Sequence, residues 1–186
     1  MFELKVCGLV EAKLFANNNW PTHIISLIDP GTTVSFTCEH HLIRHFNDIE
    51  SQIECKNVFD WILPKIEDLE AVLEFTKDLR ESDKLIVHCH QGVSRSTAMA
   101  IGIMSQYGMN AREAYTYVEN IRDCLLPNGL ISKFVDDMFN FNGELVDIVK
   151  ENRKYLMNRY LNTTESDNKK AILEMKSILD KLKNIT

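Results

Sequence analysis

The sequence is poor in the features that mark several whole classes of protein. Seven glycines and four prolines among 186 residues leave no low-complexity linker, and no internal repeat is evident. The five cysteines never fall in the CxxC pairs of a structural zinc site, and an odd number of them does not suit a disulfide scaffold. They predict reduced thiols inside a cell. No apolar stretch approaches the ~20 residues needed to span a bilayer, and Met1 to Lys13 lacks a basic leader followed by an apolar run. A cytoplasmic protein without a membrane span is expected, and the acceptor-like triplets beginning at Asn162 and Asn184 carry no weight in that setting. A cationic excess is missing too. The net charge of −6 argues against a surface built to neutralise nucleic acid or anionic lipid, while leaving room for one local cationic site.

What is present suits one domain with a modest extension. The chain is 45% hydrophobic and 26% charged, close to globular averages, so it can bury a core. The expected division is a domain over 1–148 and a helical extension over 149–186. Phe2, Leu4 and Val6 alternate with Glu3, Lys5 and Cys7 in the period of a half-buried strand. His23 to Ile28 is an apolar run closed by Asp29-Pro30-Gly31, and His41 to Phe46 predicts another strand. Pro64 to Arg80 carries apolar residues at helical spacing, and Leu85-Ile86-Val87 predicts a buried strand. Helices follow through Ala98, Ile101 and Met104 until Gly108, from Ala111 to about Arg122 after a capping box formed by Asn110 and Glu113, and from Leu130 to Phe141. Strands alternating with helices predict an α/β fold: a central, mostly parallel sheet flanked by helices, whose ligands bind where the strands end.

The segment at such an end is His88-Cys89-His90-Gln91-Gly92-Val93-Ser94-Arg95-Ser96. A cysteine six positions before an arginine is a weak signal alone; the added His88, Gly92 and Ser96 make coincidence negligible. A loop between a strand and a helix N-terminus turns successive amides toward one point, making a nest for a three-oxygen anion. The loop residues His90, Gln91, Gly92, Val93 and Ser94 would supply those amides, with Gly92 letting the chain curl. The same helix end and Arg95 would lower the Cys89 thiol pKa and make it a nucleophile. Arg95 offers a planar fork for two phosphoryl oxygens, which lysine does not. Ser96 can donate a hydrogen bond to the departing thiolate when a thiophosphoryl intermediate breaks down.

These residues resemble the signature of the cysteine-dependent protein tyrosine phosphatase superfamily, His-Cys-x5-Arg-Ser/Thr. The dual-specificity branch is the nearest in pattern. Its downstream stretch resembles Glu113-Ala114-Tyr115-Thr116-Tyr117-Val118, a basic residue at Arg122, and Pro127-Asn128; its strand-and-turn segment resembles His23 to Asp29. The resemblance covers about residues 1–145 and is specific over 85–130. It implies an Asp general acid before the cysteine. Asp48, directly after a strand, is preferred, and Asp60 is the alternative, with a helix N-cap as its competing role. It also implies that Asn128 faces the loop, although a helix cap serves equally, and that His88 orients the loop rather than transferring a proton.

The function expected from the resemblance is hydrolysis of phosphotyrosine, and through a shallow pocket phosphoserine or phosphothreonine, in a protein partner, by way of a cysteinyl-phosphate and without cofactor or metal. A lipid or RNA 5′-phosphate is the alternative substrate. The loop has no lysine to favour a multiply charged headgroup. A phosphate-recognising module without turnover is the alternative from another class, and the intact Cys89 and Arg95 speak against it. Cys7, Cys38, Cys55 and Cys124 read as packing residues, with a regulatory disulfide to Cys89 as the competing role. Beyond the domain, Asn162 to Asp167 reads as a polar hinge. Lys169 to Leu182 reads as an amphipathic helix suited to docking on the domain or to forming a homodimer.

Overall fold

In the computed structural model, which describes residues 1–51 and 61–161, the short apolar runs form four parallel strands. They are β1 (Glu3–Gly8), β2 (His23–Ile28), β3 (His40–His45) and β4 (Lys84–Cys89), in the order β1-β4-β2-β3. Gly8 lies opposite Cys89 and Ser26 opposite His88, so β1 and β4 finish level beside β2. Parallel strands leave their sheet on one edge, and the segments leaving this edge carry Asp29, Asp48 and the loop after Cys89.

Among the described residues, six helices flank the sheet: α1 (Leu9–Asn17), α2 (Ile66–Thr76), α3 (Arg95–Gln106), α4 (Ala111–Ile121), α5 (Gly129–Met138) and α6 (Glu144–Leu161). Leu4, Val6, Ile25, Leu27, Leu85 and Val87 meet residues of α2 to α6 in the main core. At its centre α3 is buried from Arg95 to Ser105, apolar nearly all round. Truncating Met99 or Ile101 there costs about 2–5 kcal/mol, the range for large buried side chains. The other face carries a smaller cluster of Cys7, Ile24 and Ile86 with Ala12 and Ala16 of α1.

Several elements differ in detail from the sequence pattern. The pattern does not announce α1, because only Ala12 and Ala16 of that helix are buried while Val10 and Leu14 stay about half exposed. No broad apolar stripe is left to detect. Its first turn is held by Glu11, whose Oε2 accepts the Gly8 amide at 2.8 Å. The Asn110–Glu113 capping box is present, with both reciprocal bonds at 3.0 Å. α5 stops at Met138, short of Phe141, because Asn140 turns into the left-handed region at φ 56°. A compact unit covers Met1–Lys150 and a second begins at Glu151, within α6. Asp60, Cys55, the hinge at 162–167 and the helix at 169–182 lie outside the described residues. Among the described residues, no helix is long and apolar enough to cross a membrane.

Candidate active site

β4 runs directly into Cys89, which is only 2% exposed. Its Sγ accepts the Gly92 amide at 3.2 Å and lies 3.4 Å from Ser96 Oγ. Burial alone pushes a thiol pKa up. Here the hydrogen bonds from Ser96 and the Gly92 amide, aided by the Arg95 charge, outweigh it and hold Cys89 below the ordinary value.

The loop can only be built with glycine at position 92. Gly92 has φ +74°, and a Cβ there would stand 2.3 Å from the Cys7 carbonyl carbon and 2.5 Å from the Gly8 nitrogen. Every carbonyl from His90 to Ser94 is tied outward. That of His90 accepts the Leu9 amide at 3.1 Å, and that of Val93 the Leu126 amide at 3.0 Å. The Ser94 carbonyl accepts the amides of Ala98 and Asn128 at 3.1 and 3.3 Å. Arg122 reaches two more, donating from Nη2 to Gln91 and from Nε to Gly92, both at 2.9 Å. Glu11 holds that arginine through both carboxylate oxygens, each 3.0 Å from Nη1. In a trans peptide the amide points opposite the carbonyl, so anchoring the carbonyls outside turns the loop amides inward. Ser94 adds to this. It stands at the N-cap of α3 but donates its hydroxyl to Asp48 Oδ1 at 2.7 Å, leaving the first-turn amides to an anion.

Arg95 is 3% exposed and held by one end. Its Nη1 donates to Asp29 Oδ1 and to the Phe46 carbonyl, both at 2.7 Å. Its Nε is buried without a partner among the described residues, 4.0 Å from Asp48 Oδ2. An unpaired buried donor beside a ring of amides fits an anionic ligand. Asp48 accepts from Ser94 and from Asn128 Nδ2 on the same oxygen, Oδ1, at 2.7 and 2.9 Å. Asn128 does two jobs at once. Its Oδ1 caps α5 through the Leu130 and Ile131 amides at 3.1 Å, while its Nδ2 holds the Asp48 segment. His90 and Gln91 lie exposed on the rim, and His90 Nε2 meets Asp29 Oδ2 at 2.9 Å. His88, fully buried, has its Nδ1 3.2 Å from the Cys89 carbonyl.

Sequence reasoning missed Asp29, read only as the close of a turn, and the Glu11–Arg122 pair. The signal for Asp29 was topological: a carboxylate just past the end of a strand next to β4 must face the loop. The other described cysteines sit apart from the site. Cys7 packs on the opposite face of the sheet from Cys89, Cys38 lies 3.3 Å from the Thr22 carbonyl near the start of β2, and Cys124 is exposed between α4 and α5. Among the described residues, no group of three or more His, Cys, Asp or Glu could hold a metal ion.

The model for the catalytic domain of dual specificity phosphatases matches residues 27–142, and the chain belongs to that family. It is 32% identical to human dual specificity protein phosphatase 8 over 114 residues, covering 60% of this chain and 15% of that protein. It is also 32% identical to the mouse serine/threonine/tyrosine-interacting protein over 108 residues, covering 48% of each. The chain therefore spans less than half the length of these relatives. The crystal structure of DUSP15 superposes with a TM-score of 0.56 at 18% identity, covering 81% of this chain and 92% of that one. The Yvh1 phosphatase domain from Chaetomium thermophilum gives 0.53 at 21%, with coverage of 78% and 95%. At these identities the structural likeness concerns the fold, a protein tyrosine phosphatase-like α/β sheet.

Proposed function

We propose that the protein hydrolyses phosphomonoesters on proteins, phosphotyrosine first and phosphoserine or phosphothreonine through the same pocket, by way of a cysteinyl-phosphate. One observation carries the reading: a buried thiol with a lowered pKa at the centre of inward-turned amides, beside an unpaired arginine Nε. The Cys89 thiolate attacks phosphorus from the side opposite the ester oxygen, forming the S–P bond as the P–O bond breaks. Arg95 Nε and the loop amides hold the equatorial oxygens. Asp48 acts as the acid, giving its proton to the leaving oxygen. The hydrogen bonds from Ser94 and Asn128 both reach Oδ1, which leaves Oδ2 to carry that proton. Water then attacks phosphorus with Asp48 as the base. The S–P bond breaks, Ser96 donates to the returning thiolate, and inorganic phosphate leaves.

His90 and Gln91 on an open rim, with no lysine in the loop, support a phosphoprotein over a multiply charged lipid headgroup. Phosphate release from an aryl phosphate by wild type and by Cys89→Ser tests the reading: a loss of about 10⁴-fold or more is expected. Equal release by the two proteins would sink it. Asp48→Asn should lower kcat by about 10²–10³-fold and remove the basic limb of the pH profile. If Asp60→Asn alone does so, the acid is Asp60.

A further inference from the structure

Three polar side chains cross the sheet in line with the nucleophile, and the chemistry above uses none of them directly. Ser26 on β2 is fully buried, with its Oγ 2.7 Å from His41 Nε2 on β3 and 2.6 Å from His88 Nε2 on β4. On the far side of its ring, His88 Nδ1 lies 3.2 Å from the Cys89 carbonyl. The Phe36 ring packs edge-on against both imidazoles, at 5.2 and 5.3 Å.

Hydrogen-bond chemistry gives this chain one direction. A carbonyl only accepts, so His88 Nδ1 carries its proton. Burial drives the His88 pKa down to about 4, so at neutral pH the ring has one proton and its Nε2 is an acceptor. The single Ser26 hydroxyl proton must then point to His88, which leaves Ser26 Oγ to accept from His41 Nε2–H. The sequence of donors runs from His41 to Ser26 to His88 to the carbonyl of Cys89. That carbonyl belongs to the peptide whose amide is His90, the first amide of the phosphate loop. Polarising it strengthens that donor and holds the loop at its first peptide, one residue before the carbonyls that Leu9, Arg122 and Leu126 anchor.

We propose that Ser26 and His41 are positioning residues that act on Cys89 through His88, by fixing the His88 tautomer and with it the first peptide of the phosphate loop. The proposal assigns regulation of the same site and so rests on the function proposed above. Its test does not need turnover. It reads the pH dependence of Cys89 alkylation by iodoacetamide, with the His88 tautomer followed by nitrogen NMR of the ring. Wild type should show His88 protonated on Nδ1 alone. In Ser26→Ala and His41→Phe the alkylation midpoint should rise by about half a unit to one unit, the equivalent of one neutral hydrogen bond. The Nδ1–H signal should also weaken in favour of a mixture of tautomers. His41→Gln, which keeps an N–H donor near the same position, and Ser26→Thr, which keeps the hydroxyl, should restore the wild-type midpoint. A loss of packing alone would not be rescued this way. Unchanged midpoints and an unchanged His88 tautomer in folded Ser26→Ala and His41→Phe would overturn the proposal. A shift in Ser26→Ala without one in His41→Phe would overturn the part given to His41. Alkylation that follows these predictions in a protein that releases no phosphate would refute the enzymatic reading and leave the relay standing.

Discussion

Cys7 and Cys89 sit at almost the same level on neighbouring strands, both 2% exposed, and the fold treats their thiols in opposite ways. Cys7 faces the small cluster under α1, and its pKa is pushed up to about 12, first by burial and then by the Glu11 carboxylate. Cys89 suffers the same burial, yet its pKa falls, because the strand ends there and the chain turns amides and a hydroxyl onto the sulfur. Depth alone makes a thiol inert. Donors aimed at it make a nucleophile. The opposite faces also argue against a disulfide between the two, since neither can approach the other without breaking the β1–β4 pairing.

The sharpest way to break this comparison is selective alkylation. At pH 7 a thiol of pKa near 12 is about one part in 10⁵ thiolate, so iodoacetamide should modify Cys89 and leave Cys7 untouched in the folded protein, as read by peptide mass spectrometry. Comparable labelling of both would mean that the loop does not activate Cys89. The contrast must be measured where the fold is intact, and His88 sets that range. The unfolded chain protonates this residue near the ordinary 6.5 and the folded chain only near 4. Its contribution to stability is therefore complete above pH 6.5 and is lost as the pH falls toward 4, by about 3 kcal/mol in all. Urea midpoints across that range should show the slope in wild type, and His88→Asn should flatten it; parallel slopes would contradict the burial of a neutral imidazole. A finer cut is Ser96→Ala. It should raise the Cys89 midpoint and slow breakdown of the intermediate by about tenfold, visible as a larger burst of aryl alcohol before a slower steady state. If burst and steady state fall together, Ser96 serves the first step instead.

Much of this site was legible in the sequence because a short contiguous segment carries it. His88 to Ser96 holds Cys89, Gly92 and Arg95 within nine residues, and a strand followed by a helix start orients them locally. Asp48 could be named as following a strand, but what reaches its carboxylate could not. Ser94 and Asn128, 46 and 80 residues away, are what do so. Asp29 and the Glu11–Arg122 pair were illegible for the same reason. Glu11 sits 111 residues from the arginine it holds, on a helix whose apolar residues form no clear stripe.

By itself, then, the order of residues determined the α/β alternation, the parallel sheet and the make-up of the loop after Cys89, because these rest on periodicity and on neighbours in the chain. Only the tertiary structure decided which of two buried thiols has its pKa lowered, what pins each carbonyl from His90 to Ser94, and how His41 and Ser26 reach the Cys89 peptide through His88. Those outcomes depend on hydrogen bonds between strands and helices distant in sequence, and a donor acquires a direction only once the sheet has been paired and its faces covered.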